Sequence, residues 1–194
     1  MTAVLVVCTG NVCRSPMAEG FLRAALERRF GHAAPAVSSA GTAGWEGSGA
    51  MDEAIEAAAE RGVDISDHVA RRLVPGMASA ADLVLCMAAE HRDAIGANEP
   101  AAAPRAFTLK ELTGLLETST GGRAGEPDAL PVRIAAADAA RRAGAGDHVD
   151  ADIADPLGSP LEVYRAVAWE LDTWSERLLD AAYGPVAMPS GRGT

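Results

Sequence analysis

The chain has 194 residues, of which 48% are hydrophobic and 23% are charged. This size and balance fit one globular domain with a full hydrophobic core, and they exclude a collagen-like repeat or a disordered chain. With 17 basic and 27 acidic residues the formal net charge is −10, so the field of the whole molecule opposes nucleic acid and anionic membrane. A phosphate-bearing ligand must therefore be attracted by a local site.

Cysteine usage and the N-terminal segment predict a cytoplasmic protein. Cysteine occurs only at Cys8, Cys13 and Cys86, an odd number that is too small for a disulfide-stapled secreted scaffold. The apolar run at 3–7 has no basic residues before it, and it ends at Thr9. It is too short for a signal peptide or a membrane span.

The first half of the chain alternates between strand and helix patterns. We expect a helix from Ser15-Pro16 through Leu26, because Pro16 suits a first helical turn. The other predicted elements, in chain order, are a strand at 4–7 before that helix, then a strand at 36–39, a helix at 51–61, a helical turn at 66–72 capped by Ser66, a strand at 81–86, a helix at 88–95 ended by Gly96, and a short strand ending at Phe107.

The second half contains three predicted helices separated by loops. Thr108 and Glu111 match a capping box that opens a helix to Leu116, and Ser159 and Glu162 match a second box that opens the last helix. The remaining predicted segments are a loop at 117–129, a helix at 134–142, a loop at 143–151 and a flexible tail at 184–194. We therefore expect one domain at 1–183 with an extended loop and helix insertion at about 117–151.

Alternating strands and helices with short, continuously apolar strands indicate an α/β fold. We predict a single domain with a four-stranded parallel sheet and helices on both faces. Such sheets bind ligands beyond the carboxyl ends of their strands. The turn after the first strand is therefore the expected site.

That turn reads Cys8-Thr9-Gly10-Asn11-Val12-Cys13-Arg14-Ser15. A loop of this length can turn its backbone amides inward as an anion nest, and the start of the following helix adds partial positive charge. Arg14 supplies a planar fork for two phosphoryl oxygens. These groups favour the nucleophilic thiolate form of Cys8, to which Ser15 can donate its hydroxyl. The loop lacks the Gly-Lys-Ser/Thr ending of a nucleoside triphosphate site.

The eight-residue string resembles the low-molecular-weight protein tyrosine phosphatase family. Further segments carry the resemblance, at 39–42, 66–71, 82–87, 107–112 and the single Asp155-Pro156 pair. The resemblance implies a phosphotyrosine phosphatase I-like fold with flavodoxin-like topology. It also implies that Cys8 attacks phosphorus to form a cysteinyl-phosphate, while Asp155 protonates the leaving phenolate and then activates water. Neither a metal nor a cofactor is expected.

The resemblance assigns further residues to phosphate and substrate binding. They are Thr9, Gly10, Asn11, Val12, Cys13 and Ser15 of the loop, with Asn11 bracing it through side-chain hydrogen bonds, and Trp45 at the rim of the cleft. An aromatic side chain at the rim can stack on a phosphotyrosine ring. Many family members carry aromatic residues directly after the Asp-Pro pair. Here Leu157-Gly158 stands in their place, which leaves selectivity for an aromatic phosphoester open.

Several alternatives remain open from the sequence. A thiol-dependent arsenate reductase would use the same loop with a relay of further cysteines such as Cys86, and a regulatory module would bind phosphate without turnover. Cys13 is either a small buried side chain or the disulfide partner of Cys8 under oxidation. The alternative role of Asp155 is that of an ordinary turn residue before a proline, and the alternative role of Ser15 is that of a helix cap. For His68 and His91, hydrogen bonding is favoured over metal binding.

The sequence therefore predicts a metal-independent phosphatase that hydrolyses phosphotyrosine in proteins, or a related aryl phosphate. A cognate tyrosine kinase is a candidate partner. Nucleic acid and membrane are not expected as partners.

Overall fold

The computed structural model describes residues 3–118, 130–145 and 151–185. Within these ranges there are four strands, β1 (Ala3–Cys8), β2 (Ala36–Gly41), β3 (Leu83–Cys86) and β4 (Ala106–Thr108). They form one sheet in the order β2-β1-β3-β4, and every neighbouring pair is parallel. The predicted four-stranded parallel sheet is confirmed.

Seven α-helices connect and cover the strands in the described part of the chain. They are α1 (Arg14–Phe30), α2 (Asp52–Ala59), α3 (Met77–Ala80), α4 (Ala89–Asn98), α5 (Leu109–Thr118), α6 (Leu130–Arg142) and α7 (Leu161–Tyr183), with 3₁₀ turns at Gly31–Ala33 and Pro100–Arg105. Among these helices none is long and apolar enough to cross a membrane.

The two faces of the sheet are buried against different helices. Side chains of a strand alternate between its faces, so Val4 and Val6 of β1 pack with α1, α2, α5, α6 and α7, whereas Leu5 and Val7 pack with α3, α4 and the second 3₁₀ turn. The predicted helical cover on both faces is therefore confirmed, and it explains why the strands are apolar at every position.

The predicted helical turn at 66–72 is wrong. Residues 66 and 67 form a turn, in which Asp64 Oδ1 accepts the Ser66 amide, and the chain then runs extended. Gly41 donates its amide to the Arg71 carbonyl, and the Gly41 carbonyl accepts the Leu73 amide. These bonds to the end of β2 use backbone groups that a helix would have paired internally.

Two predicted helix caps differ from the structure, and one is confirmed. Thr108 Oγ1 accepts the Glu111 amide, and Glu111 Oε2 accepts the Thr108 amide, as a capping box requires. Ser159 does not cap α7, because its own amide closes a turn on the Pro156 carbonyl and Pro160 takes the cap position. Ser15 does not cap α1, because that helix already begins at Arg14.

Other element boundaries shift by a few residues. The helix α4 continues through Gly96 to Asn98, and it ends there because Pro100 disfavours helical geometry in the residue before it. The helix α6 begins at Leu130, and α5 reaches Thr118, inside the predicted loop. The rest of that loop at 119–129, part of the next loop at 146–150 and the tail at 186–194 lie outside the described residues. The predicted domain and insertion bounds stay predictions.

Gly41 gives a direct test of the packing at the end of β2. A Cβ at Gly41 would lie 2.4 Å from the Thr9 carbonyl oxygen and 2.8 Å from Gly44 Cα, and neither backbone atom can rotate away. We predict that Gly41→Ala lowers the free energy of unfolding by about 1–3 kcal/mol in urea titrations. In the control Gly96→Ala, the new Cβ meets only Ala103 Cβ at 3.9 Å. That control should leave stability unchanged or raise it, and a similar outcome for Gly41→Ala would contradict the close approach.

Candidate active site

The loop between β1 and α1 lies at the carboxyl edge of the sheet, where the sequence places the candidate site. Cys8 is the last residue of β1, and Arg14 is the first residue of α1. The strand β1 lies between β2 and β3, so both neighbours end beside the loop. The sequence folds this way because its apolar strand run is followed directly by a short polar turn and a helix start.

The Cys8 thiol is buried and has two polar neighbours from its own loop. Its Sγ lies 2.9 Å from Ser15 Oγ and accepts the Asn11 amide at 3.2 Å. The Ser15 oxygen accepts a hydrogen bond from Asn11 Nδ2 at 2.9 Å, which leaves the serine proton available for the sulfur. Two donors aimed at one sulfur stabilise negative charge on it.

Asn11 has a left-handed backbone conformation, with φ of 57°, and is the one non-glycine residue with positive φ among those described. Its side chain is completely buried. Nδ2 donates to Ser15 Oγ and Ser39 Oγ, and Oδ1 accepts the Arg71 amide at 2.9 Å. The Asn11 carbonyl accepts a 2.8 Å hydrogen bond from His68 Nε2. The side chain thus ties the loop to β2 and to the segment after α2.

Arg14 and Asp155 are brought together although 140 intervening residues separate them. Arg14 is buried, and its NH2 group lies 2.5 Å from Asp155 Oδ2. The same guanidinium donates to the Ile153 carbonyl at 3.2 Å and to Thr9 Oγ1 at 3.4 Å. The Asp155 side chain is 46% exposed, and its other oxygen accepts the Leu157 amide. Asp155 therefore faces solvent at the edge of the loop.

His91 contacts the loop from α4. Its Nε2 lies 3.0 Å from Thr9 Oγ1, and its Nδ1 has no hydrogen-bond partner in the described part of the chain. Burial, reinforced by the positive charge of Arg14, lowers the pKa of His91 below its ordinary value. The neutral ring is therefore the form that the fold favours.

Val12 and Cys13 contribute to the loop through their backbone, because both side chains are buried in the main core. Cys13 Sγ lies 3.6 Å from the Tyr164 hydroxyl, and burial raises the pKa of its thiol to about 11. Cys8, Cys13 and Cys86 are all free thiols. Cys86 packs on the opposite face of the sheet from Cys8, and burial raises its pKa.

Trp45, which the resemblance assigns to the rim of the cleft, lies beside the loop. Its amide donates to the Gly10 carbonyl at 3.0 Å, and a Cβ built on Gly10 would lie 3.7 Å from the indole nitrogen. The Trp45 side chain is 47% exposed, and Leu157, which follows the Asp155-Pro156 pair, is 43% exposed. Exposed apolar side chains therefore lie next to the loop that carries Cys8 and next to the segment that carries Asp155.

Three contributors to the site were not singled out by the sequence patterns. Ser39 and Arg71 bond to Asn11, and they belong to segments that carried the family resemblance. Lys110 is the single lysine of the chain and is buried beside the segment that leads to Asp155. It lies between Thr108 and Glu111 of the capping box, in the segment 107–112 that also carries the family resemblance. Among the described residues no cluster of His, Cys, Asp and Glu could hold a metal ion.

Comparisons with known proteins agree with this geometry. The family model for low molecular weight phosphotyrosine protein phosphatases matches residues 3–121. A probable low molecular weight protein-tyrosine-phosphatase, EpsP of Ralstonia solanacearum, is 40% identical over 111 residues, which are 56% of this chain and 71% of that protein. A protein-arginine-phosphatase of Geobacillus stearothermophilus is 33% identical over 177 residues, 91% of this chain and 93% of that protein.

Solved structures show the same relationship. The low molecular weight protein tyrosine phosphatase of T. tengcongensis superposes with a TM-score of 0.70 at 35% identity, covering 93% of this chain and 99% of that one. The arginine phosphatase YwlE of G. stearothermophilus gives a TM-score of 0.67 at 32% identity, covering 93% and 92%. Fold and loop thus define a phosphoric monoester hydrolase. The chain belongs to the low molecular weight phosphotyrosine protein phosphatase family.

The lowered pKa of His91 predicts a pH dependence of stability. Because the unfolded histidine binds a proton more readily than the folded one, the free energy of unfolding falls as the pH drops below the ordinary value of 6.5. We expect this loss between about pH 7.5 and about pH 5.5 to be smaller in His91→Gln than in the wild type. Urea titrations at both pH values measure it.

The exposed His32 provides the control for that titration. His32→Gln should show the wild-type loss of stability on acidification. An equal loss in His91→Gln and the wild type would disprove the contribution of His91.

Proposed function

We propose that this protein hydrolyses phosphotyrosine in proteins, or a related aryl phosphate, through a cysteinyl-phosphate intermediate. The observation that carries the proposal is the arrangement of the loop. Cys8 has two donors at its sulfur, and Arg14, at the other end of the same loop, contacts Asp155. A nucleophile, an anion clamp and an acid are therefore adjacent.

In the first step the Cys8 thiolate attacks phosphorus. A sulfur–phosphorus bond forms while the bond between phosphorus and the phenolic oxygen breaks. Asp155, in its protonated form, transfers its proton to the departing oxygen. Its position at the solvent edge supports this role, since a leaving tyrosine must exit there. Positioned proton transfer of this kind contributes about 10²–10⁴-fold.

In the second step water attacks the phosphorus of the intermediate. The Asp155 carboxylate takes a proton from the water, the sulfur–phosphorus bond breaks, and inorganic phosphate leaves. Ser15 donates its hydroxyl to the Cys8 sulfur at 2.9 Å, so it stabilises the thiolate as a leaving group. One difficult displacement is thus divided into two easier ones.

Arg14 and the loop amides hold the equatorial oxygens of the phosphoryl group in this proposal. The guanidinium is already oriented, because the carbonyl of Ile153 and the hydroxyl of Thr9 accept two of its hydrogen bonds. Gly10, Asn11, Val12 and Cys13 supply backbone between Cys8 and Arg14. Trp45 and Leu157 supply apolar contact for the substrate ring.

Substitution of Cys8 and Asp155 tests this mechanism. With reductant and chelator present, we expect the wild type to release phosphate from para-nitrophenyl phosphate and from a phosphotyrosyl peptide. Cys8→Ser should abolish release, and Asp155→Asn should lower kcat for the peptide by about 100-fold or more. Asp172→Asn is the control, because this carboxylate pairs with Arg61 away from the loop.

An inactive reduced wild type would overturn the phosphatase proposal. Arsenate-dependent oxidation of thiols would then favour the reductase alternative, although Cys86 faces away from Cys8. Phosphate binding without either activity would favour the regulatory alternative. The predicted cytoplasmic location and kinase partner stay predictions.

Phosphoarginine is a second candidate substrate. One observation favours it: the arginine phosphatase of G. stearothermophilus matches 91% of this chain, a larger share than the tyrosine phosphatase EpsP matches. The exposed face of Trp45 can contact a planar guanidinium as well as a phenyl ring. The loop chemistry would be the same for a phosphorus–nitrogen bond.

Two phosphopeptides that differ only in the modified residue distinguish the candidates. We predict that kcat/KM is about 10-fold or more higher for the phosphotyrosyl peptide, because phenolate is a better leaving group than a neutral guanidine. Trp45→Ala should lower kcat/KM for this peptide and leave inhibition by inorganic phosphate unchanged, since phosphate reaches only the loop. A higher kcat/KM for the phosphoarginyl peptide would identify phosphoarginine as the preferred substrate.

A further inference from the structure

We propose that Lys110 is a positioning residue for the reaction and sets the place of Asp155 by anchoring the backbone at Asp152. The inference rests on the proposed function, in which Asp155 is the acid and base. Lys110 belongs to α5, and its side chain is 8% exposed. A buried ammonium group requires compensating partners.

Lys110 joins three parts of the fold. Its Nζ donates a 2.8 Å hydrogen bond to the carbonyl oxygen of Asp152 and lies 2.7 Å from Glu170 Oε1 on α7. Its helix α5 begins at Leu109, directly after β4. The charge of Glu170 offsets the cost of burying the ammonium group of Lys110, and the carbonyl of Asp152 accepts a hydrogen bond from the same ammonium group.

Asp152 and Ile153 are also held by hydrogen bonds to other parts of the fold. Asp152 Oδ1 accepts the Ala89 amide at 2.7 Å, at the N-terminus of α4. The Ile153 amide donates to the Met87 carbonyl at 2.8 Å, and the Ile153 carbonyl accepts from Arg14. The segment 152–153 is therefore fixed to α4, to the end of β3 and to the phosphate-binding loop.

Asp155 itself has few constraints. Its carboxylate contacts Arg14 and the Leu157 amide, and nearly half of its side chain is exposed. Its position thus depends on backbone that is anchored two and three residues earlier. Loss of the Lys110 bond frees the Asp152 carbonyl and allows this backbone to move. A shift of about 1 Å is enough to reduce the efficiency of a positioned catalytic group.

The leaving group provides a readout that a purely structural role would not affect. Kcat/KM reports the step in which the leaving group departs. Phenyl phosphate needs a proton from Asp155, because phenol has a pKa of about 10. The leaving group of 2,4-dinitrophenyl phosphate is a stable anion and needs none. Misplacement of Asp155 therefore slows the hydrolysis of phenyl phosphate more than that of 2,4-dinitrophenyl phosphate.

Lys110→Met keeps the length and apolar stem of the side chain and removes its hydrogen bonds. We expect kcat/KM for phenyl phosphate to fall about 10-fold or more, with less than a twofold change for 2,4-dinitrophenyl phosphate. Lys110→Arg should recover part of the loss because it restores a donor. Arg133→Met is the matched control. Arg133 is equally buried and donates to the Ala181 carbonyl, but it has no bond to residues 152–155.

A second variant covers the case in which Lys110→Met does not fold. Asp152→Ala removes the bond to the Ala89 amide and keeps the carbonyl that accepts from Lys110. It should show the same selective loss with phenyl phosphate. Circular dichroism and urea titrations establish that each variant is folded before its kinetics are compared.

The outcomes separate this inference from the proposed function. Selective loss in Asp155→Asn and Lys110→Met, and its absence in Arg133→Met, supports both. Selective loss in Asp155→Asn alone overturns the role of Lys110 and leaves the proposed function in place. Equal losses with both substrates in Lys110→Met indicate a structural role only and also overturn it. No selective loss in Asp155→Asn overturns the role of Asp155 itself, and with it the inference.

Discussion

The loop that carries Cys8 and Arg14 depends on one residue, Asn11, in a backbone conformation that L-residues rarely adopt. Its φ of 57° lies in the left-handed region, and its amide donates to the Cys8 sulfur. Such a conformation costs about 1–3 kcal/mol unless its surroundings hold it, although asparagine tolerates it better than most residues. Four hydrogen bonds hold it here: Asn11 donates to Ser15 and Ser39, and it accepts from Arg71 and His68. Buried and fully bonded, the amide also avoids the cost of an unsatisfied polar group.

The partners of Asn11 lie on separate elements, so the conformation of the loop depends on how the strands of the sheet pair. In the parallel register of β1 and β2, Val6 pairs with Ser39, and Cys8 pairs with Gly41. A slip of one residue would turn Ser39 to the other face and remove a partner of Asn11. The close approach of Gly41 to the Thr9 carbonyl depends on the same register. Correct strand pairing and a correctly shaped loop from Cys8 to Arg14 are therefore one structural requirement.

The features that could be predicted from the sequence are those that depend on local patterns. The apolar strands, the Thr108 capping box and the loop from Cys8 to Ser15 follow from residues near one another in the chain. The segment 66–72 was predicted wrongly because long-range bonds to Gly41 decide its conformation. Ser159 is not the cap, because Pro160 keeps an extended backbone and the helix begins one residue later, at Leu161. The role of Lys110 depends on tertiary contacts with two distant segments, which no local pattern indicates.

Electrostatics explain how a chain with a net charge of −10 can bind a dianionic phosphoryl group. At physiological ionic strength charges are screened over about 8 Å, so distant carboxylates matter less than the groups that touch the ligand. Arg14 is buried and oriented by Ile153 and Thr9, and Asp155 is its one carboxylate contact among the described residues. In the proposed mechanism the phosphoryl oxygens compete with Asp155 for the guanidinium. Repulsion between the phosphoryl oxygens and the Asp155 carboxylate weakens the contact between Asp155 and Arg14 further. Substrate binding and the release of Asp155 from Arg14 are thus the same electrostatic event in that mechanism.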